Sequence, residues 1–370
     1  MLSFPFLWSR ICIDSDLPPK VIQALLQRSG SHPLNLTVPV RHAEASRLNR
    51  RSNALEASAH MSRIRKLTIY EDSGETDLIH LLKIFSKPAP NLTHLLLFVY
   101  GEYSPISVPD WFGSGFPNLR KLEVRGVIAW QEAIGTNLTH IVIKSSLDPP
   151  QLIRCLQYSP SLKVLEILGV DRLNKSPRRV TLPSGAHLTI KDSDPCSNIV
   201  GIFSLPSDGY LQIDAPSLRG WDRAFTFLYW ALPPTLDHLQ NLDGVTRLHV
   251  KTRFDTPGTL AALEVKCFKR DLTVLDVNIE LSISANSRDE SDSPAMFFLD
   301  NFDGMKLSEV EELRMEGFFG PLEPYAEELV GLLAGMPGLV WVFTDHNQEK
   351  LCSALDLLGR RATVVMVVDR

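Results

Sequence analysis

The phrase Asn118-Leu119-Arg120-Lys121-Leu122-Glu123-Val124 is repeated along this chain, and a phrase that returns at regular spacing constrains a fold more than composition does. Close copies occupy residues 91–97, 137–143 and 161–167. Looser ones are Ile64/Leu67/Ile69, Val245/Leu248/Val250, Leu272/Leu275/Val277 and Val310/Leu313/Met315. Between central positions the steps are 28 residues (67 to 95), 27 (95 to 122), 19 (122 to 141), 24 (141 to 165) and 27 (248 to 275). L-x-x-L-x-L at a period in the twenties reads as a leucine-rich-repeat-like α/β solenoid: a curved parallel sheet with helices on its convex side. Each unit of such an array buries its apolar side only against its neighbours.

The segments between phrases fit this reading. Val21, Ile22, Leu25 and Leu26 have helical spacing before Gly30, and Leu34/Leu36/Val38 alternate as a strand. Further helices are expected over 77–85, 324–334 and 348–358, and further strands at 66–70, 92–99, 162–168, 247–251, 311–316, 339–343 and 363–368. Residues 284–294 are polar and aperiodic, as in an exposed loop.

No apolar run reaches the roughly 18 residues that a spanning helix requires, and Met1–Trp8 lacks the basic start of a signal peptide. An intracellular protein, cytoplasmic or nuclear and without a membrane partner, is expected. The five cysteines are scattered, with no zinc-ligand spacing, so reduced thiols and no metal are expected. Residues 280–370 hold 7 Lys/Arg against 17 Asp/Glu, although the whole chain carries only -5. Arg41, Arg47, Arg50, Arg51, Arg63, Arg65 and Lys66 form a basic cluster without interleaved aromatics. That pattern reads as a solvated face and not as a nucleic-acid site.

Leu7-Trp8-Ser9-Arg10-Ile11-Cys12-Ile13, then Pro18-Pro19, an amphipathic segment, Arg28-Ser29-Gly30-Ser31 and Pro33–Val38, resembles fungal, mushroom-type F-box proteins just past the F-box. The resemblance implies that Leu7, Trp8, Ile11 and Ile13 are the edge of an F-box-like segment over 1–16, with the repeat domain over 17–370. It further implies a substrate-recognition role in a cullin-RING ubiquitin ligase. The Skp-family adaptor and cullin would be partners only where a complete F-box lies upstream, and the target protein is not named by any residue. An adaptor-independent repeat scaffold is the alternative.

Side chains alternate along a strand, so the positions between the consensus leucines face the concave side. The expected row is Lys66, Thr68 and Tyr70; Leu96 and Phe98; Glu123 and Arg125; Val142 and Lys144; Glu166 and Leu168; His249 and Lys251; Asp276 and Asn278; Arg314 and Glu316. Among these, Tyr70, Leu96, Phe98, Arg125, Val142, Lys144, Leu168, Lys251, Asn278 and Glu316 are the candidate protein-binding residues. Leu96, Phe98, Val142 and Leu168 would form an exposed apolar patch, or else lie under the aromatic loop 101–117. No nucleotide-binding, metalloprotease or nucleophile-elbow motif is present, and Asp345-His346 has no nucleophile to act with, so no catalytic residue or cofactor is expected.

Overall fold

The computed structural model describes residues 4–13, 17–40, 47–71, 75–85, 87–99, 106–107, 116–126, 128–129, 137–144, 152–153, 156–168, 179–191, 200–219, 238–256, 259–282, 307–316, 326–344, 348–359 and 362–366. The chain divides into two compact units, Met1–Leu168 and Gly169–Arg370. Both are mixed α/β, with a mostly parallel sheet and few helices.

In the first unit the strands are β1 (Arg10–Cys12), β2 (Leu34–Val40), β3 (Ile64–Glu71), β4 (His94–Val99), β5 (Ile106–Ser107), β6 (Lys121–Arg125), β7 (Ile128–Ala129), β8 (His140–Lys144) and β9 (Val164–Leu168). The main sheet runs β1-β2-β3-β4-β6-β8-β9 with every pair parallel, while β5 pairs with β7 beside it. Parallel neighbours need a crossover between them. Helices α1 (Pro19–Arg28), α2 (Arg47–Ser58) and α3 (Glu75–Ile84) supply three of these, with α2 packed on both α1 and α3. Helix α1 shows why such a segment starts and stops. Pro19 begins it, where a missing N–H costs nothing, and Gly30 follows its end at φ +53°, a conformation that L side chains rarely adopt.

The consensus phrase is built from one local device. In Ala89-Pro90-Asn91-Leu92, Phe116-Pro117-Asn118-Leu119 and Ser159-Pro160-Ser161-Leu162, the N–H of the last residue donates to the carbonyl of the first at 3.0–3.1 Å. Proline suits the second position of such a turn, and the first and fourth residues of each are buried. Asn91, Asn118 and Asn137 then donate from Nδ2 to the carbonyls of Ser62, Pro90 and Pro117 at 2.6–2.7 Å. One repeat is thereby tied to the turn of the repeat before it. Beyond the turn, Leu67/Ile69, Leu95/Leu97, Leu122/Val124, Ile141/Ile143 and Leu165/Ile167 line up in register and are all buried.

The second unit contains β10 (Val180–Thr181), β11 (His187–Lys191), β12 (Phe203–Ser204), β13 (Tyr210–Arg219), β14 (Arg247–Thr256), β15 (Thr259–Lys269), β16 (Leu272–Ser282), β17 (Glu312–Glu316), β18 (Trp341–Thr344) and β19 (Thr363–Met366). Helices α4 (Ala326–Ala334) and α5 (Gln348–Leu357) pack on each other. The same turn opens β17 and β18, at Leu307–Val310 and Met336–Leu339.

One stretch departs from the repeat. The step from Leu248 to Leu275, counted as a repeat in the sequence, is an antiparallel meander of β14, β15 and β16. The order is β11-β13-β16-β15-β14-β17-β18-β19, so β16 continues the parallel array from β13 and β14 hands it on to β17. The reason is local. Residues 259–269 alternate Glu264/Lys266 with buried Val265/Cys267, a period of two that suits a strand and not a helix. Arg270 makes the return at φ 52°.

Candidate functional site

Parallel, in-register pairing converts the concave positions read from the sequence into continuous rows. In the first unit, Tyr70, Phe98, Arg125 and Lys144 stand side by side at one end of the strands. Thr68, Leu96, Glu123, Val142 and Glu166 form the row through the middle. Arg10, Asn35, Lys66, His94, Lys121, His140 and Val164 make the row at the strand starts. All lie on the face opposite the buried leucines.

The middle row is deeper than alternation alone suggests. Thr68 is 3% exposed and Val142 5% exposed. The neighbours of Val142, Glu123 across the ladder and Lys144 along the strand, are joined in an ion pair at 2.7 Å. Val142 is therefore not part of an exposed apolar patch, and it acts as packing beneath that pair. Leu96, Phe98 and Leu168 are half-buried. Phe98 stacks on exposed Tyr70 with ring centroids 4.7 Å apart and planes 9° from parallel. This Tyr70–Phe98 plate is an apolar feature of the face. The loop read as a lid lies outside the described residues except for Ile106, Ser107, Phe116 and Pro117, so the alternative of a covered patch stays where the sequence left it.

On the corresponding face of the second unit, Asn278, Glu264, Lys251 and Glu316 share one row, and Gln212, Asp276, Lys266, His249 and Arg314 the next. Only the backbone of Asn278 is described. The charges answer one another. Glu316 receives Arg314, with Lys251 at 3.5 Å and His249 Nε2 at 3.6 Å. Lys266 bridges Glu264 and Asp276, Lys191 meets Asp214 at 3.2 Å, and the Tyr210 hydroxyl donates to Asp276 at 3.5 Å.

The pairings are visible in proton affinities. Burial raises that of Glu316, but the hydrogen bond and charge of Arg314, with His249 and Lys251, hold its carboxyl below the ordinary value. Burial lowers the pKa of His249 against the pull of Glu316. Burial beside Asp276 pushes the Tyr210 hydroxyl up to about 12. In chemical terms this is a cross-strand network, of the kind whose pairs contribute roughly 0.2–1 kcal/mol each.

Two of the residues assigned to the N-terminal edge phrase, Ile11 and Ile13, are buried in the first unit, while Leu7 is 61% exposed and Arg28 lies 5.0 Å over the Trp8 ring. Asp345-His346 and residues 284–294 fall outside the described residues. Among the described residues no three His, Cys, Asp or Glu side chains converge as a metal set, and no helix is long and apolar enough to cross a membrane. Cys267 and Cys352 are free thiols, and burial pushes that of Cys267 up to about 12.

Sequence reasoning missed the row at the strand starts, because it read Arg65 and Lys66 together with their sequence neighbours. The structure separates those neighbours. Arg50 is buried, and Arg63 donates to the His32 carbonyl and to Ser29 Oγ at 2.8–3.3 Å. Aligning the repeat phrases in columns would have found the row. No protein-family model matches the chain, and no curated protein sequence matches it either.

Proposed function

We propose that the chain is a protein-binding module whose two units are leucine-rich-repeat-like stacks, with the partner taken on the sheet face that carries Tyr70, Leu96, Phe98, Arg125, Lys144 and Leu168. The observation that carries this reading is the exposed, stacked Tyr70–Phe98 pair on a row that continues into Arg125 and Lys144. Aromatic and arginine side chains are the types that most often dominate binding energy at interfaces. The narrower reading, target recognition for a cullin-RING ubiquitin ligase, is supported by the resemblance of residues 7–38 to fungal F-box proteins. Lys251, Asn278 and Glu316 would extend the same role to the second unit.

The test uses a photo-crosslinking residue at Phe98, with the same residue at exposed Leu55 on α2 as the control, in a fungal lysate. Capture of one defined protein through Phe98 and not through Leu55 supports the face as the interface. Equal capture from both positions refutes it. Co-purification of a Skp-family adaptor and cullin with a form extended upstream through an F-box tests the ligase role. Phe98-specific capture without the adaptor would make the protein an adaptor-independent scaffold.

A further inference from the structure

The strand-start end of the first unit is basic in a regular way. Arg10, Lys66 and Lys121 occupy every second strand of one row, with Asn35 and His94 between them and His140 next after Lys121. One residue earlier, each strand is entered through a shared acceptor. The N–H groups of Arg120 and Lys121 both donate to the Thr93 carbonyl, those of Thr139 and His140 to Arg120, and those of Lys163 and Val164 to Thr139. Arg65, Arg120 and Lys163 are therefore a second set on alternate strands, and all three are exposed. The segments 63–66, 91–94, 118–121, 137–140 and 161–164 contain no Asp or Glu. Among the described residues none of Arg10, Arg65, Lys66, Arg120, Lys121 and Lys163 meets a carboxylate.

The fold does not require these cations. The equivalent entry positions in the second unit hold Thr246, Glu311 and Val340, joined by the same paired hydrogen bonds. Burial and then the charges of Lys66, Arg65 and Lys121 depress the pKa of His94, as an uncompensated positive field does. Thr93 Oγ1 donates to the Arg65 carbonyl at 3.0 Å, so its 2.9 Å contact with His94 has the ring Nδ1–H as donor. Nε2 of the neutral ring is then an acceptor, open to a ligand's backbone N–H and not to its carboxylates, and Thr139 and His140 repeat the arrangement, with a 3.1 Å bond to the Arg120 carbonyl.

We propose that this row docks an acidic, extended polypeptide segment running across the strands. The spacing favours it: strands lie about 4.8 Å apart, so cations on alternate strands repeat at about 9.6 Å, close to the ~9.3 Å between every third residue of a polyproline II segment, whose three-residue turn keeps those side chains on one side. A single-stranded nucleic acid would call for stacking aromatics, and the five segments have none. The inference rests on the reading that this face binds protein, and it adds the chemistry of the partner.

The test is fluorescence anisotropy of the full chain with a labelled peptide carrying Glu at every third position. Its controls are a peptide of equal composition with the Glu residues in one block, and an oligothymidylate of equal charge. The spaced peptide binds best, by about threefold over the block. Lys66→Glu with Lys121→Glu weakens it by about tenfold or more, as expected for reversing two exposed ion pairs. Lys20→Glu on α1 changes it less than about twofold. If the double reversal loses its circular dichroism signal, Lys66→Gln with Lys121→Gln decides, with about a threefold loss expected. Absence of binding at low salt, equal binding of block peptide or oligothymidylate, or an equal effect of Lys20→Glu overturns the proposal. If Phe98 capture persists in any of those cases, only this inference falls, and if Phe98 capture fails while the spaced peptide binds, only the interface assigned above falls.

Discussion

Strand β6 allows the two-faced reading of the sheet to be tested one residue at a time. Leu122 and Val124 are fully buried, Glu123 between them is nearly so, and Lys121 is half-buried at the strand start. Leu122 sits in register between Leu95 and Ile141, so Leu122→Ala opens a cavity in the core and is expected to cost about 2–5 kcal/mol. Val124→Ala removes two carbons where Leu122→Ala removes three, so about two-thirds of that cost is expected. Glu123→Ala breaks the pair with Lys144, whose side chain is 36% exposed; solvent screening there limits the expected cost to about 1 kcal/mol. Lys121→Ala should stay within about 0.5 kcal/mol. With a urea slope of about 2 kcal/mol/M, Leu122→Ala moves the unfolding midpoint by about 1–2.5 M and Lys121→Ala by about 0.25 M or less. Circular dichroism of urea series on the four variants reads this directly. Costs that fail to alternate, with Glu123→Ala as large as its two neighbours, would refute the assignment of core and binding faces.

Glu316 has its carboxyl pKa held below 4.5 in the folded state, so it contributes stability above that value which is lost as pH falls through the folded pKa. Glu316→Gln is therefore expected to lower the urea midpoint at neutral pH, with the difference from the parent narrowing below about pH 4.5; a difference independent of pH would contradict the network. Brief alkylation followed by peptide mapping should label exposed Cys12 and leave buried Cys267 unmodified until the chain is unfolded, and early labelling of Cys267 would contradict its burial. Asn118→Ala removes the 2.6 Å bond to the Pro90 carbonyl at an exposed site and should destabilise by about 0.5–1.5 kcal/mol in the same urea assay. No change would mean that the asparagine series does not link repeats.

The repeat phrase made strand positions and face assignment legible because both depend on local spacing. Leu122 and Val124 against Glu123 and Arg125 can be separated by alternation alone. The turn that precedes these strands recurs in the sequence as Pro90, Pro117, Pro160 and Pro337. What escaped was anything decided by a partner far along the chain. The period of two in residues 259–269 marks β15 as a strand, but that β16 pairs with β13 and β14 with β17 is not written in the residues between Leu248 and Leu275. The pair that flanks buried Val142 joins Glu123 and Lys144, which are 21 residues apart. Separation along the chain also hid the strand-start row, whose members lie on seven strands.

The depth of the middle row has a consequence for how a partner could be read. Thr68, Glu123 and Val142 are too buried to present their side chains, so a ligand on this face meets mainly the two flanking rows, with half-buried Leu96 and Glu166 between them. Those rows differ in kind: Tyr70 and Phe98 with Arg125 and Lys144 at the strand ends, and Arg10, Lys66 and Lys121 with two histidines at the starts. Stacked aromatic area resists dissociation, whereas an uncompensated charge row acts mainly on approach and on the choice between partners. Substitutions in the two rows should therefore separate kinetically. Phe98→Ala is expected to raise the dissociation rate of a bound protein with little dependence on salt. Lys66→Gln with Lys121→Gln is expected to slow association, most strongly at low ionic strength, where the Debye length is ~10 Å or more. Surface plasmon resonance at two salt concentrations distinguishes them, and identical kinetic signatures would mean that the two rows do not act as separate contacts.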